Sequence, residues 1–194
     1  MILWRRLDLP GHEAAAITQH RNRWNLAGTA LFSHRRQPCR LDYEIECDML
    51  WGTRDVTVRG QIGETPVSLV LSRDSENTWC ANGVAQPAVD GCIDIDLGFS
   101  PSTNLLPIRR LKLAIGARAD VRAAWVRFPE LTLEVLEQSY TRLTERTYRY
   151  ESAGGEFERE LTVNEDGFVV DYPGLWRDES LEGIEPVGAR DESD

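Results

Sequence analysis

Residues 39 to 51 carry the clearest pattern in the chain. Cys39, Leu41, Tyr43, Ile45, Cys47, Met49 and Trp51 alternate with Arg40, Asp42, Glu44, Glu46 and Asp48. This period-2 alternation predicts a half-buried strand. Shorter copies follow. Val56, Val58 and Ile62 alternate with Thr57, Arg59 and Gln61, and Val67, Leu69 and Leu71 resume after the turn at 63 to 66. Residues 77 to 90 hold Gly, Asn, Pro and Asp and read as mainly loop. From Cys92 the alternation returns, with Ile93, Ile95 and Leu97 on one face and Cys92, Asp94 and Asp96 on the other. Strands are also predicted over 121–128 and 131–141, broken at Pro129, over 147–151 and 157–163 around a Ser-Ala-Gly-Gly turn, and over 168–172.

One segment changes period. After SPSTN at 100 to 104, Leu105, Ile108, Leu111 and Ile115 follow helical spacing. Asn104 or Thr103 suits the N-cap, Pro107 is tolerated in the first turn, and Gly116 is the expected stop. A helix apolar on one side is expected to plug or lid a sheet. His12 to Gln19 (HEAAAITQ) reads as one short helical turn. Many strands, short turns and one solid helix predict a mostly β fold, an antiparallel barrel or rolled sheet.

The net charge of −10 removes the basic footprint that nucleic-acid binders need. Residues 178 to 194 hold seven acids against one Arg and account for −6 of it. This predicts a single domain over residues 1–176 and a disordered acidic tail over 177–194. The N-terminal stretch lacks the pattern of a secretory signal, and no run reaches the ~20 apolar residues of a membrane helix. The expectation is a cytoplasmic protein with no stable membrane insertion. Cysteines at 39, 47, 80 and 92 show no zinc spacing, so no metal and no cofactor is expected. Cys39 and Cys47, eight positions apart along one strand, should lie roughly 26 Å apart. Four free thiols are expected.

Two stretches carry the candidate chemistry: DIDLGFSPSTNLLPIRRL at 94 to 111 and FVVDYPGLW at 168 to 176. The three His lack a nucleophile elbow around them. The calcium-like start at Asp94 fails, because its sixth position is Phe99 and its twelfth Leu105. Asp94 and Asp96 share a strand face at about 7 Å. That spacing is open to ion pairing with Arg109 and Arg110, to ligand contact, or to a carboxylate pair. Arg127 falls in phase with Val121, Ala123 and Trp125, and Arg159 with Phe157, Leu161 and Val163. A cation on such a face must be paired or line a wet cavity.

Over roughly residues 24 to 176, closely in the C-terminal half and more loosely before residue 90, the chain resembles a bacterial family of glycolipid-binding proteins. The likeness rests on DIDLGFSPSTNLLPIRRL, AAWVRFPEL (123 to 131), RYES (149 to 152) and FVVDYPGLW, in the family's order. Leu105 stands where the family pattern favours a small polar residue. The resemblance implies an open spiral β-roll wrapped around one main α-helix. The function expected for such a chain is a non-enzymatic protein holding a small amphipathic ligand, glycolipid or acyl-bearing, in a groove between sheet and helix. Asp94, Asp96, Asn104, Arg109, Arg127 and Tyr172 then form a polar rim for the head group, with Trp125 and Trp176 stacking on it. No catalytic residue is assigned. The rival reading is a carboxylate-based hydrolase, which needs two carboxylates meeting in one pocket in opposed environments. Arg109 is expected to meet Asp94 or Asp96 beneath the loop at 98 to 104.

Overall fold

The computed structural model describes residues 1–180. Alternation becomes strands along almost the whole chain: β1 (Ile2–Arg6), β2 (Gly11–His20), β3 (Arg23–His34), β4 (Gln37–Cys47), β5 (Thr53–Ile62), β6 (Thr65–Arg73), β7 (Trp79–Ala81) and β8 (Val84–Ala85). After β9 (Asp94–Leu97) come the helix α1 (Leu105–Leu111), β10 (Arg118–Arg127), β11 (Thr132–Arg142), β12 (Thr147–Ser152), β13 (Phe157–Val163), β14 (Val169–Tyr172) and β15 (Trp176–Asp178).

These strands form one open, curled sheet. Its order runs from the β8 edge back through β2 to β1, crosses to β15, and continues down to β9. Consecutive strands pair as tight antiparallel hairpins, and β1 pairs antiparallel with β15. The expectation of a wholly antiparallel sheet fails at one place, where β9 and β10 are parallel. The reason is the helix between them. A chain that leaves a strand, runs through a crossover and returns alongside enters from the same end.

The β9 edge does not face solvent. Thr53 N donates to Ile93 O (3.1 Å), and Ile95 N donates to Thr53 Oγ1 (3.2 Å), so the start of β5 covers it. The start of β5 thus closes off the edge of β9, while its two faces differ. Ile95 and Leu97 are buried on one, with Ala124 and Val126 of the neighbouring strand. Asp94 and Asp96 look to the other, where α1 lies. Covering an edge in this way removes a template for pairing with other chains. The two fully buried indoles are satisfied: Trp4 Nε1 donates to Val169 O (2.5 Å) and Trp79 Nε1 to Cys92 O (2.9 Å).

Three sequence expectations need correction. His12–Gln19 lies within β2, not a helix. Its Ala run has helical propensity, but β1 and β3 pair with it on both sides, and tertiary pairing wins. The helix is also shorter than its apolar spacing suggests. Leu105, Leu106, Pro107 and Ile108 are buried, then Lys112 turns left-handed (φ 47°) and its N–H donates to Ile108 O. Ile115, expected on the apolar face, is 60% exposed. The chain must leave the interior there to begin β10. Finally, β15 extends through Arg177 and Asp178, past the boundary expected at residue 176. Glu179 N donates to Leu3 O (2.8 Å), and the Glu179 carboxylate lies 3.1 Å from Arg5. Residues 181–194 of the expected acidic tail lie outside the described residues.

The four cysteines are unpaired thiols. Cys39 and Cys47 sit at the two ends of β4, and burial pushes the Cys47 thiol up to about 12. No helix among the described residues is long and apolar enough to cross a membrane.

Candidate functional site

Residues opposed across a β-ladder share a face. Asp96 is opposite Trp125, and Trp125 is opposite Glu134. Gln138 is opposite Ser152, and Ser152 is opposite Phe157. Tyr140 is opposite Tyr150, and Tyr150 is opposite Arg159. All of these therefore stand on the face that carries α1, the inner face of the curl. Toward the tips of β10 to β13 that face opens. Trp125, Glu134, Leu136, Ser152, Phe157 and Arg159 are only half-buried, while Gln138, Tyr140 and Tyr150 form the floor.

Asp96 is the acid of this groove. Its Oδ2 accepts one hydrogen bond, from Gln138 Nε2 (2.6 Å), and that amide also reaches Tyr150 Oη (3.1 Å). Its Oδ1 takes none. Burial pushes the Asp96 carboxyl up to about 6, against the hydrogen bond from Gln138. Aromatic rings surround it. Tyr150 packs on Tyr140 (5.2 Å between centroids), Phe157 (6.0 Å) and Tyr172 (6.2 Å). Burial raises all three phenols, so each remains a neutral hydroxyl.

Asp94 shares the strand face but not the role. It is 1% exposed, and both its oxygens accept from Arg110, with Nη2 at 2.6 Å. Burial raises the Asp94 carboxyl, and the guanidinium opposes that rise. The expected partner was Arg109. One residue on a helix is about 100° of rotation, and it is Arg110 that turns toward β9. Arg109 instead donates to Asp166 O (2.6 Å) and lies 5.3 Å from the Trp51 ring, at the rim of the roll.

The segment between β9 and α1 is fixed to both walls. Asn104 Oδ1 accepts from Tyr140 Oη (2.9 Å) on β11. On the opposite wall, Glu13 Oε1 accepts from Tyr43 Oη (2.6 Å) and Ser100 Oγ (2.5 Å), and Ser102 Oγ lies 2.7 Å from Ser100 Oγ and 2.8 Å from Tyr43 Oη. Gly28 makes this possible. A Cβ there would stand 2.4 Å from the Tyr43 hydroxyl. Burial pushes the Glu13 carboxyl up to about 7, against those hydrogen bonds and the charge of Arg6.

The structure brings Asp96, Asn104, Trp125 and Tyr172 of the expected site together. The Trp125 indole nitrogen sits over Gly98, where a Cβ would be 2.6 Å away. Arg127 is exposed at the end of β10, 3.3 Å from Glu134 and 5.7 Å from the Trp125 ring centre. Trp176 is buried, opposite Tyr172 on one side and Arg6 on the other. Asp94 and Arg109 do not join the groove. Arg159, half-buried as its phase implied, stacks on Phe157 (4.6 Å) and donates to Pro173 O (3.3 Å). Sequence reading missed Gln138 and Glu13. Each sits in phase with inward apolar residues, Leu136 and Tyr140 for the first and Ala15 for the second. A polar residue at such a position was the available signal.

Two clefts open at the surface of the sheet. One of about 460 Å³ adjoins the inner groove at Gln138 and Ser152 and is otherwise lined by charged or polar residues such as Arg118, Glu137, Ser139 and Glu151. The other, about 650 Å³, is lined by His20, Arg23, Trp24 and Glu46, among others. Their charges are largely spent on each other: Arg118 is 3.0 Å from Glu151, and Arg23 is 2.6 Å from Glu46. Neither sets a buried, half-satisfied acid among several aromatic rings, as the inner groove does.

No curated protein matches the chain. A crystal structure of a DUF1089 family protein from Pseudomonas aeruginosa is similar, with TM-score 0.74 and 36% sequence identity, covering 85% of this chain and 91% of that one. A family model described as "Putative glycolipid-binding" matches residues 1–178. That match spans the whole roll from β1 to β15, and the chain belongs to this glycolipid-binding family.

Proposed function

We propose that the protein binds an amphipathic ligand with a sugar-like head group at the groove around Asp96, without chemical conversion. One observation carries this reading. Asp96 offers an unspent carboxylate oxygen at the floor of a half-open groove lined by Trp125, Tyr150, Phe157 and Tyr172. A carboxylate accepts hydroxyl donors strongly, and aromatic faces pack against the apolar face of a ring. Gln138 holds the acid in place. Leu136 and Phe157, both half-buried, offer apolar surface for the start of a tail. The helix side chains Leu105, Leu106 and Ile108 already fill the inner face beside Asp94, so the groove is read as lying between strands, away from α1.

The hydrolase reading has less to stand on. It needs a second acid working with Asp96, and Asp94, on the same strand face, is bidentate to Arg110. The family's description supports glycolipid binding in the same direction. The test is titration of the full chain with n-octyl β-glucoside below its micelle concentration, followed by calorimetry. Saturable binding is expected, weakened about tenfold in Asp96→Asn, roughly 1.4 kcal/mol for a lost charge-assisted hydrogen bond. Equal affinity in the two proteins would remove Asp96 from the site.

A further inference from the structure

A second pair of unspent polar atoms lies further along the inner face. Arg6 is opposite Trp176 across the β1–β15 ladder, and Trp4, two residues before Arg6 on the same face, is opposite Glu13 across β1–β2. The Arg6 and Glu13 side chains are therefore diagonal neighbours, with Cβ atoms roughly 7 Å apart. Arg6 spends Nε and Nη2 on Asp8 (2.8 and 3.2 Å), and its guanidinium lies 4.7 Å from the Phe32 ring and 5.1 Å from the Trp176 ring. Its Nη1 is buried and has no partner among the described residues. Glu13 is 1% exposed, spends Oε1 on Tyr43 and Ser100, and leaves Oε2 buried without a partner.

We propose that Arg6 and Glu13 form a second polar subsite, which takes a hydroxyl of a further sugar ring lying beyond Trp176 from the Asp96 groove. The chemistry of the two free atoms selects the group. Nη1 needs an acceptor and Oε2 needs a donor. An anion would satisfy the arginine and be repelled by the glutamate, and a cation would do the reverse. A hydroxyl accepts from one and donates to the other. Trp176 is opposite Tyr172, which packs on Tyr150 and Phe157 (6.2 and 6.3 Å), so an aromatic stripe joins the two polar sites. Arg6 lies two strands from Tyr172, roughly 10 Å at the usual strand spacing. A disaccharide is of this length from Tyr172 to Arg6, and Tyr150 carries the aromatic stripe a further 6.2 Å toward Asp96. The Arg6 side chain, 13% exposed, marks the point of entry from the rim.

This inference rests on the head-group reading and extends it from one ring to two. Its test compares n-octyl β-glucoside with n-octyl β-maltoside, both below their micelle concentrations, on the full chain by calorimetry. The maltoside is expected to bind at least tenfold more tightly than the glucoside. Glu13→Gln keeps a carbonyl oxygen for Tyr43 and Ser100 and replaces the free acceptor with a donor. Arg6→Met keeps the apolar stem between the rings and removes the donor. Each should bring the maltoside preference below twofold and leave glucoside affinity unchanged, with thermal melting confirming a folded protein. A single buried water could also satisfy both atoms. In that case glucoside binds, the wild type shows no preference or both variants keep it, and the subsite is overturned while the Asp96 reading stands. Binding of neither glycoside overturns both.

Discussion

Asp94 is enclosed and held by a bidentate arginine. Asp96, two residues further along the same face of β9, has only an amide for a partner and keeps one oxygen unspent. Burial raises both carboxyls, yet only the first is compensated by an opposite charge. A buried carboxylate that the fold needs as scaffold is given its counter-charge, because the ion alone is too costly. A carboxylate left half-satisfied at the floor of an open groove lowers stability and is retained for something else. On the proposed reading, Asp94 is scaffold and Asp96 is the ligand's acceptor.

The largest effect expected from breaking this contrast is on the scaffold side. Arg110→Ala strands Asp94 in the interior and should destabilise the protein by about 3–5 kcal/mol, measured by denaturant unfolding. A loss under 1 kcal/mol would mean that Asp94 is solvated after all. On the other side, Asp96→Asn should be stabilising at pH 8. The folded carboxyl titrates near 6 against an ordinary 3.8, so the folded state holds its proton more tightly than the unfolded one. Wild-type stability from this group is full below about pH 4 and is lost as pH rises through 6. The variant should gain about 1–3 kcal/mol at pH 8, converge with the wild type near pH 4, and lose ligand affinity. Glu13→Gln should behave alike over a window set higher, with its carboxyl near 7 in the folded state against 4.5. If unfolding free energies of the wild type and these two variants run parallel from pH 4 to 8, the acids are not held protonated by the fold. The smallest effect belongs to Arg109→Ala. Its contacts with Asp166 and Trp51 are at the partly exposed rim, and the loss should be within about 1 kcal/mol.

Much of this frame was legible before any coordinates. The alternation at Cys39–Cys47 is β4, and the pairs flanking Pro129 and the Ser-Ala-Gly-Gly turn are hairpins at those places. What failed did so for physical reasons. Ala14 to Ala16 have no strand signal of their own and become strand only because two neighbours pair with them. Ile115 continues the helical spacing, but the interior is full after Ile108. The choice between Arg109 and Arg110 depends on a helix rotation that spacing does not reveal. Glu13 and Tyr43 are 30 positions apart, and Ser100 is 87 from Glu13, so their meeting is a property of the curl.

The pairing of β1 with β15 has a consequence for how the molecule is made. Each flank of the sheet, β2 to β8 and β10 to β14, is a run of local hairpins that can form early at little loop-closure cost. The two flanks become one sheet only through Trp4 to Arg6 meeting Trp176 to Asp178. During synthesis the N-terminal flank must wait for nearly the whole chain to emerge, with the outer edge of β1 unpaired. That interval is when the polypeptide is most exposed to pairing with a second copy of itself. The Arg5, Arg6 and Asp8 charges along and just beyond that strand then act as a guard on the unfinished edge.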